Sequence, residues 1–248
     1  MKAFVLRIAA AVLLGSLSLS AFASTKADVI RAAIYRGPAS CEDCSETLKR
    51  AIEKLGPNYR VDFIGEDEPA DITAENLSRY DIYAQPGGDQ DIAAALKSLG
   101  DDRIEAIHDY VAHGGGFLGI CMGAYLASGS GLGLVSYELY SEVGRPGFPI
   151  KTIDDAAITM RWEGCKENVF YQDGPYMLRS AKDPGFRAIA TYENGDIAAA
   201  RYSLGKGVVT LSGPHPEADE AWFEEAGIPL SYMPSSRLLR SLLDALDR

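Results

Sequence analysis

The sequence predicts an α/β protein: an open, mostly parallel sheet flanked by helices, with a small antiparallel extension. Three observations predict it. Strand-like and helix-like segments alternate through the first half, and that alternation is what crossover-connected parallel strands require. Residues 113–127, HGGGFLGICMGAYLA, read as a buried strand turning sharply into a helix. Beyond that turn the helical patterns give way to short strand candidates.

The first strand is expected over 28–35 (DVIRAAIY), followed by a loop, RGPASCEDC. Ser45 to Leu55 places Leu48, Ile52 and Leu55 on one helix face, and Gly56-Pro57-Asn58 stops it. Tyr59 to Ile64 alternates as a second strand, and Asp71 to Leu77 reads as a short helix. A third strand, Asp81 to Ala84, runs into Gln85-Pro86-Gly87-Gly88-Asp89, with Asp89 as cap of a helix through Leu99. Another helix, about Asp102 to Val111, leads through three glycines into the strand of the sharp turn. Residues 129–150 read as a long loop. Short strands are expected near 157–162, 167–171, 186–191 and 196–202, then a buried strand Gly207 to Ser212 and a closing helix Ser235 to Leu246. The leucine stripe of that helix, from Leu238 to Leu246, is a core face.

Residues 1–23 have the composition of a secretory signal peptide: Lys2 and Arg7, an apolar stretch Ile8 to Leu19, then Ala21-Phe22-Ala23 as a cleavage site. Residues 24–248 then form a single domain, expected to be exported to the periplasm or secreted, with no membrane insertion after cleavage. The net charge is −11, and −13 once Lys2 and Arg7 are removed. Such a chain lacks the surplus cations that bind nucleic acid or anionic membranes. No cofactor is expected. The four cysteines and three histidines do not make a metal site, since only Cys41 and Cys44 have ligand-like spacing.

The chemistry centres on Gly119-Ile120-Cys121-Met122-Gly123. A nucleophile between glycines two residues away on each side fits a strand-to-helix elbow, where the helix start favours a thiolate. The plainer alternative is a small buried core cysteine. A base is needed, and His215 is the candidate: it follows the buried strand 207–212, and in extended backbone Glu217 projects to the same side. Pro214 and Pro216 stiffen the segment. His108 reads as a surface residue and His113 as a helix C-terminal one. The amide of Met122, with Gly87 and Gly88, is placed as an oxyanion hole.

LGICMGAYLA, YAQPGGDQ and LSGPHPE together resemble the class I glutamine amidotransferase-like superfamily, with its flavodoxin-like sheet. Within it the chain is similar to the biotin-protein ligase N-terminal domain family, over about residues 28–220. The resemblance implies Cys121 as nucleophile, His215 as base and Glu217 as its orienting carboxylate. It implies a cysteine hydrolase or amidase acting through a thioester on a small-molecule or peptide-like amide. Two other readings stand beside it: a non-catalytic small-ligand-binding protein on the same fold, and a redox or stress protein using Cys121. Cys41-Glu42-Asp43-Cys44 is unlike the family's first loop; a disulfide staple is expected there, with a redox switch as the alternative. Cys165 is left as a buried free thiol.

Overall fold

A computed structural model describes residues 29–247. The expected signal peptide, residues 1–23, lies outside them. In chain order the elements are β1 (Ile30–Tyr35), α1 (Cys44–Leu55), β2 (Tyr59–Ile64), α2 (Ala74–Leu77), β3 (Ile82–Gln85), α3 (Ile92–Ala112), β4 (Gly116–Ile120), α4 (Met122–Leu126), β5 (Tyr140–Ser141), β6 (Ala156–Trp162), β7 (Cys165–Tyr171), β8 (Pro175–Tyr176), β9 (Arg187–Thr191), β10 (Ile197–Leu204), β11 (Gly207–Ser212), α5 (Glu220–Glu225) and α6 (Ser236–Asp244).

Nine strands form one sheet in the order β2-β1-β3-β4-β11-β10-β9-β6-β7. The first five run parallel to one another. The remaining four join antiparallel, so the extension continues the same sheet. Period-two alternation sorts β1 between two layers. Ala32 and Ile34 pack with α1 and α6 on one face, whereas Ala33 and Tyr35 pack with α3 and α4 on the other. Trp162 of β6 is fully buried and donates its indole N–H to Ser241 of α6 at 2.6 Å, tying the extension to that helix layer.

The expected strands are present with ends shifted by at most two residues, and the differences elsewhere have local causes. Asp91, not Asp89, caps α3, because its carboxylate accepts from the Ala94 amide at 2.9 Å. The two expected helices run on as α3 across a kink at Gly100, whose φ of 72° interrupts the helical backbone. The loop 129–150 contains β5, which pairs with β8 in a two-stranded sheet. Cys165 is exposed at the start of β7, not buried, because it stands beside the tight Glu163-Gly164 turn at the end of the β6–β7 hairpin.

The strand order reverses between β1 and β3. In open α/β sheets the loops leaving the strands on either side of such a reversal line a ligand crevice at the carboxyl ends. Here the loop after β1 carries Cys41 and leads to Cys44 at the start of α1, and the loop after β3 carries Gly87 and Gly88. The two are joined directly: the Cys41 amide donates to the Gly87 carbonyl at 3.1 Å.

Candidate active site

Cys121 follows β4 with φ 51° and ψ −111°, left-handed backbone that a side-chain-bearing residue rarely takes. Such strain costs of order 1–3 kcal/mol and is held by the surroundings. The Cys121 amide donates to the Ser212 carbonyl of β11 at 2.8 Å, and the Cys121 carbonyl accepts from Ala124 and Tyr125. The two expected glycines are needed for space. A Cβ on Gly119 would stand 2.6 Å from the Gly123 carbonyl oxygen, and one on Gly123 would stand 2.1 Å from the Gln85 oxygen. α4 ends at Leu126, so the helix dipole behind Cys121 is only five residues long. Charge on the sulfur therefore depends chiefly on the neighbouring side chains.

The foremost of these is His215. Its Nδ1 stands 2.9 Å from Glu217 Oε1, and both side chains are almost wholly buried. The backbone fixes this arrangement: the His215 amide donates to the Phe170 carbonyl at the end of β7, at 2.9 Å. The rings of Trp222 and Phe170 meet the imidazole edge to face at 5.2 and 6.0 Å. Burial alone would strip the proton from the ring. The negative charges of Cys121 and Glu217, with hydrogen bonds to both, outweigh it and raise the pKa to about 10. The ring thus keeps its proton at neutral pH, set between the sulfur's charge and the Glu217 carboxylate. As a thiol, Cys121 also has a donor path to the Gln172 carbonyl at 3.3 Å.

Gly87 and Gly88 follow β3 beside the elbow. A Cβ on Gly87 would fall 2.9 Å from His215 Cε1 and 3.5 Å from Cys44 Sγ. A Cβ on Gly88 would run into the Met122 side chain, at 2.3 Å from Cε. Both glycines and Met122 therefore surround the elbow. Cys41 and Cys44 are paired as a disulfide, with Cα atoms 5.3 Å apart. The disulfide abuts the same glycine that touches the imidazole. His108 and His113 lie far along the chain's surface elements: His113 caps α3 with its Nδ1 2.7 Å from the Asp109 carbonyl, and His108 is partly exposed on α3. Among the described residues no group of three or more His, Cys, Asp and Glu side chains converges on a metal-sized space.

Beside Cys121 opens a cleft of about 270 Å³. Gly88, Asp89 and Gln90 form one wall; Tyr125, Tyr140 and Asp173 are among the residues of the other. A larger hollow of about 400 Å³ lies at the amino ends of the parallel strands, by Ile30, Tyr59 and Gly116, away from this chemistry. Sequence reasoning missed the far wall. Tyr125 donates to the Asp173 carbonyl at 2.9 Å and Ser141 to its carboxylate at 2.5 Å, so segments 141 and 173 close over the elbow. The only local signal was the turn Tyr171-Gln172-Asp173-Gly174, where Asp173 takes a φ of 46°.

Comparison with known proteins bears on the fold that carries this site. Residues 30–139 match the family model described as "Biotin-protein ligase, N terminal". A biotin–protein ligase of Schizosaccharomyces pombe is 24% identical over 231 aligned residues, which cover 79% of this chain. The chain spans about a third of that relative's length, 34%. Among solved structures, a glutamine amidotransferase superposes with a TM-score of 0.59 at 17% identity, covering 87% of this chain and 98% of that one. The PurLQS structure from Thermotoga maritima gives the same TM-score and identity, covering 88% of this chain and all of that one. At such identities the likeness speaks for the fold. Residues 30–139 thus resemble the biotin-protein ligase N-terminal family, and the chain as a whole has the fold seen in class I glutamine amidotransferase structures.

Proposed function

We propose that the protein is an exported cysteine-dependent hydrolase of the amidase type, with Cys121 as nucleophile, His215 as acid and base, and Glu217 as the residue that orients His215. The observation that carries this reading is the buried His215 ring, held by Glu217 at 2.9 Å and kept charged by the neighbouring sulfur of Cys121 on a strained elbow. A protonated imidazole beside a thiolate is the resting pair of a cysteine nucleophile.

In the first step the Cys121 sulfur attacks an amide carbonyl carbon, forming a C–S bond. The developing oxyanion is met by backbone donors at Met122 and the Gly87-Gly88 loop. His215 then passes its proton to the departing nitrogen as the C–N bond breaks. Water, deprotonated by the now neutral imidazole, cleaves the thioester and restores the thiolate–imidazolium pair. Glu217 keeps Nδ1 occupied and stabilises each charged state of the ring. The strain at Cys121 holds the sulfur projecting from the strand end toward the cleft.

The alkylation rate of Cys121 against pH tests this without a known substrate. Wild type should be alkylated rapidly already at pH 6. Glu217→Gln should weaken it and His215→Ala should abolish it. Identical profiles in all three would overturn the triad and the enzyme reading together. Export is a separate part of the proposal, supported by the composition of residues 1–23. Protein recovered from the periplasm should begin at Ser24; an intact Met1 there would refute the cleavage site.

A further inference from the structure

We propose that the cleft takes an amide that carries a cationic group and has no free carboxylate close to the scissile bond; this rests on the cysteine hydrolase reading above. The cleft walls hold two carboxylates, Asp89 and Asp173, and no lysine, arginine or histidine. Asp173 is fixed in place by its left-handed backbone and by the Ser141 hydroxyl, while Asp89 is exposed at the rim. Behind that wall Glu142 is also buried, but burial raises its carboxyl to about 7, so the field comes from Asp89 and Asp173. The nearby guanidinium, Arg145, is already committed: it pairs with Asp196 at 2.6 Å and with Glu142 at 3.5 Å, and lies over the Tyr176 ring. The imidazolium of His215 does not offset this field, because Cys121 and Glu217 face it with two negative charges.

A ligand carboxylate in such a cleft has no cationic partner and meets like charge on both walls. An ammonium or guanidinium group meets opposite charge on both, in a concave site where the field is focused. Tyr140, 60% exposed at the mouth, adds an aromatic face of the kind that cations favour. Free glutamine, which brings an α-carboxylate with its ammonium, is therefore a poor fit; an amine-bearing amide with a blocked carboxyl group suits the walls. Hydrolysis turns the acyl group into a carboxylate, and the same field then drives the product out.

The test uses a Cys165→Ser background, so that Cys121 is the free thiol under observation. Rates of modification by aminoethyl and sulfonatoethyl methanethiosulfonate are measured at low ionic strength, each normalised to 2-mercaptoethanol. The cationic reagent should be favoured at least about tenfold. That preference should shrink with added salt and fall toward one in Asp89→Asn combined with Asp173→Asn, asparagine being tolerated in the left-handed backbone. A flat ratio, a preference for the anionic reagent, or a preference unchanged by the double substitution would overturn the proposal. Neutral iodoacetamide, compared between this background and its His215→Ala derivative, reports on the hydrolase reading separately. A triad effect there with a flat charge ratio refutes the substrate class alone; no triad effect refutes the hydrolase reading whatever the ratio. As a turnover check, ammonia release from glutaminamide should exceed that from glutamine at least about tenfold, and the reverse order would count against the proposal.

Discussion

The five parallel strands β2-β1-β3-β4-β11 and the four antiparallel strands β10-β9-β6-β7 share one sheet but contribute different things to the site. Every group in the proposed chemistry leaves the parallel half: Gly87 after β3, Cys121 after β4, His215 and Glu217 after β11. The antiparallel half contributes mainly backbone. Carbonyls of Phe170 and Gln172, at and just past the end of β7, hold the His215 amide and face the Cys121 sulfur, while Asp173 closes over Tyr125. Adjacent parallel strands end side by side at one edge, so short loops can bring a nucleophile and a base together. An antiparallel extension laid against that edge supplies a roof and so controls what enters.

If this division holds, substitutions in the parallel half should change how reactive Cys121 is, and those in the other half should change what it meets. The largest effect expected is that of His215→Ala, with a loss of roughly 100-fold in Cys121 alkylation at pH 6, where an isolated thiol is almost wholly protonated. Its effect on stability should carry the sign of a raised pKa. Retaining the proton stabilises the fold fully below about pH 6.5, and that contribution is lost as pH rises through about 10. Chemical denaturation of wild type and variant at pH 6 and pH 10 would show the gap narrowing; a constant gap would contradict the assignment.

Gly87→Ala comes next. Its new methyl would crowd His215 Cε1 at 2.9 Å, within a loop tied to Cys41. The imidazole must shift off Glu217 or off the sulfur, and a loss of roughly tenfold in reactivity at pH 6 is expected from that misplacement. Thermal unfolding should move little, because the methyl points toward the site and the core layers lie elsewhere. An unaltered rate would mean that the glycine is there only for the turn.

Replacing Cys41 and Cys44 with serine sharpens the comparison further. The closed loop is short, so the chain-entropy contribution of the disulfide is about 2 kcal/mol. The larger interest lies in its position, since Cys44 Sγ borders the same glycine as His215. Without the crosslink, the loop holding the Gly87 carbonyl loosens, and a several-fold fall in Cys121 reactivity is expected, reproduced in wild type by mild reduction. Equal reactivity with and without the crosslink would reduce the disulfide to a staple for the start of α1.

The parallel half was far more legible in the sequence than the antiparallel half. Its inner strands β3, β4 and β11 are runs of buried residues ending in distinctive loops, and glycine spacing around Cys121 follows from a steric need that can be read one residue at a time. The His215–Glu217 pair was legible as two near neighbours after β11, but residues 216–217 form a turn, closed by the Ala218 amide on the His215 carbonyl, where extended backbone was expected. What stayed hidden depends on distant contacts. The pairing of β5 with β8, which brings Ser141 to Asp173, joins segments with little local pattern. Nor could spacing show that Cys165 would sit exposed beside a tight turn, or that Asp91 would cap α3 in place of Asp89.

Glu142 gives the smallest expected effect on reactivity and a clear effect on stability. It lies in the region that sequence reasoning left as loop, and its side chain is fully buried. Burial raises its carboxyl to about 7; the Asn194 amide at 2.6 Å and Arg145 oppose that rise, and Asp196 adds to it. The folded protein therefore holds a proton that the unfolded chain, with a carboxyl near 4.5, has lost. The sign follows: this contribution is fully present below about pH 4.5 and is lost as pH rises through about 7. Glu142→Gln keeps the oxygen that accepts from Asn194 and cannot ionise. Wild type should lose roughly 1–3 kcal/mol relative to the variant between pH 5 and pH 8, measured by urea unfolding at each pH. Over the same range the alkylation rate of Cys121 by neutral iodoacetamide should differ between the two by less than about twofold, because Glu142 belongs to the roof. A large change in that rate would show that the antiparallel half sets the chemistry as well as the entrance.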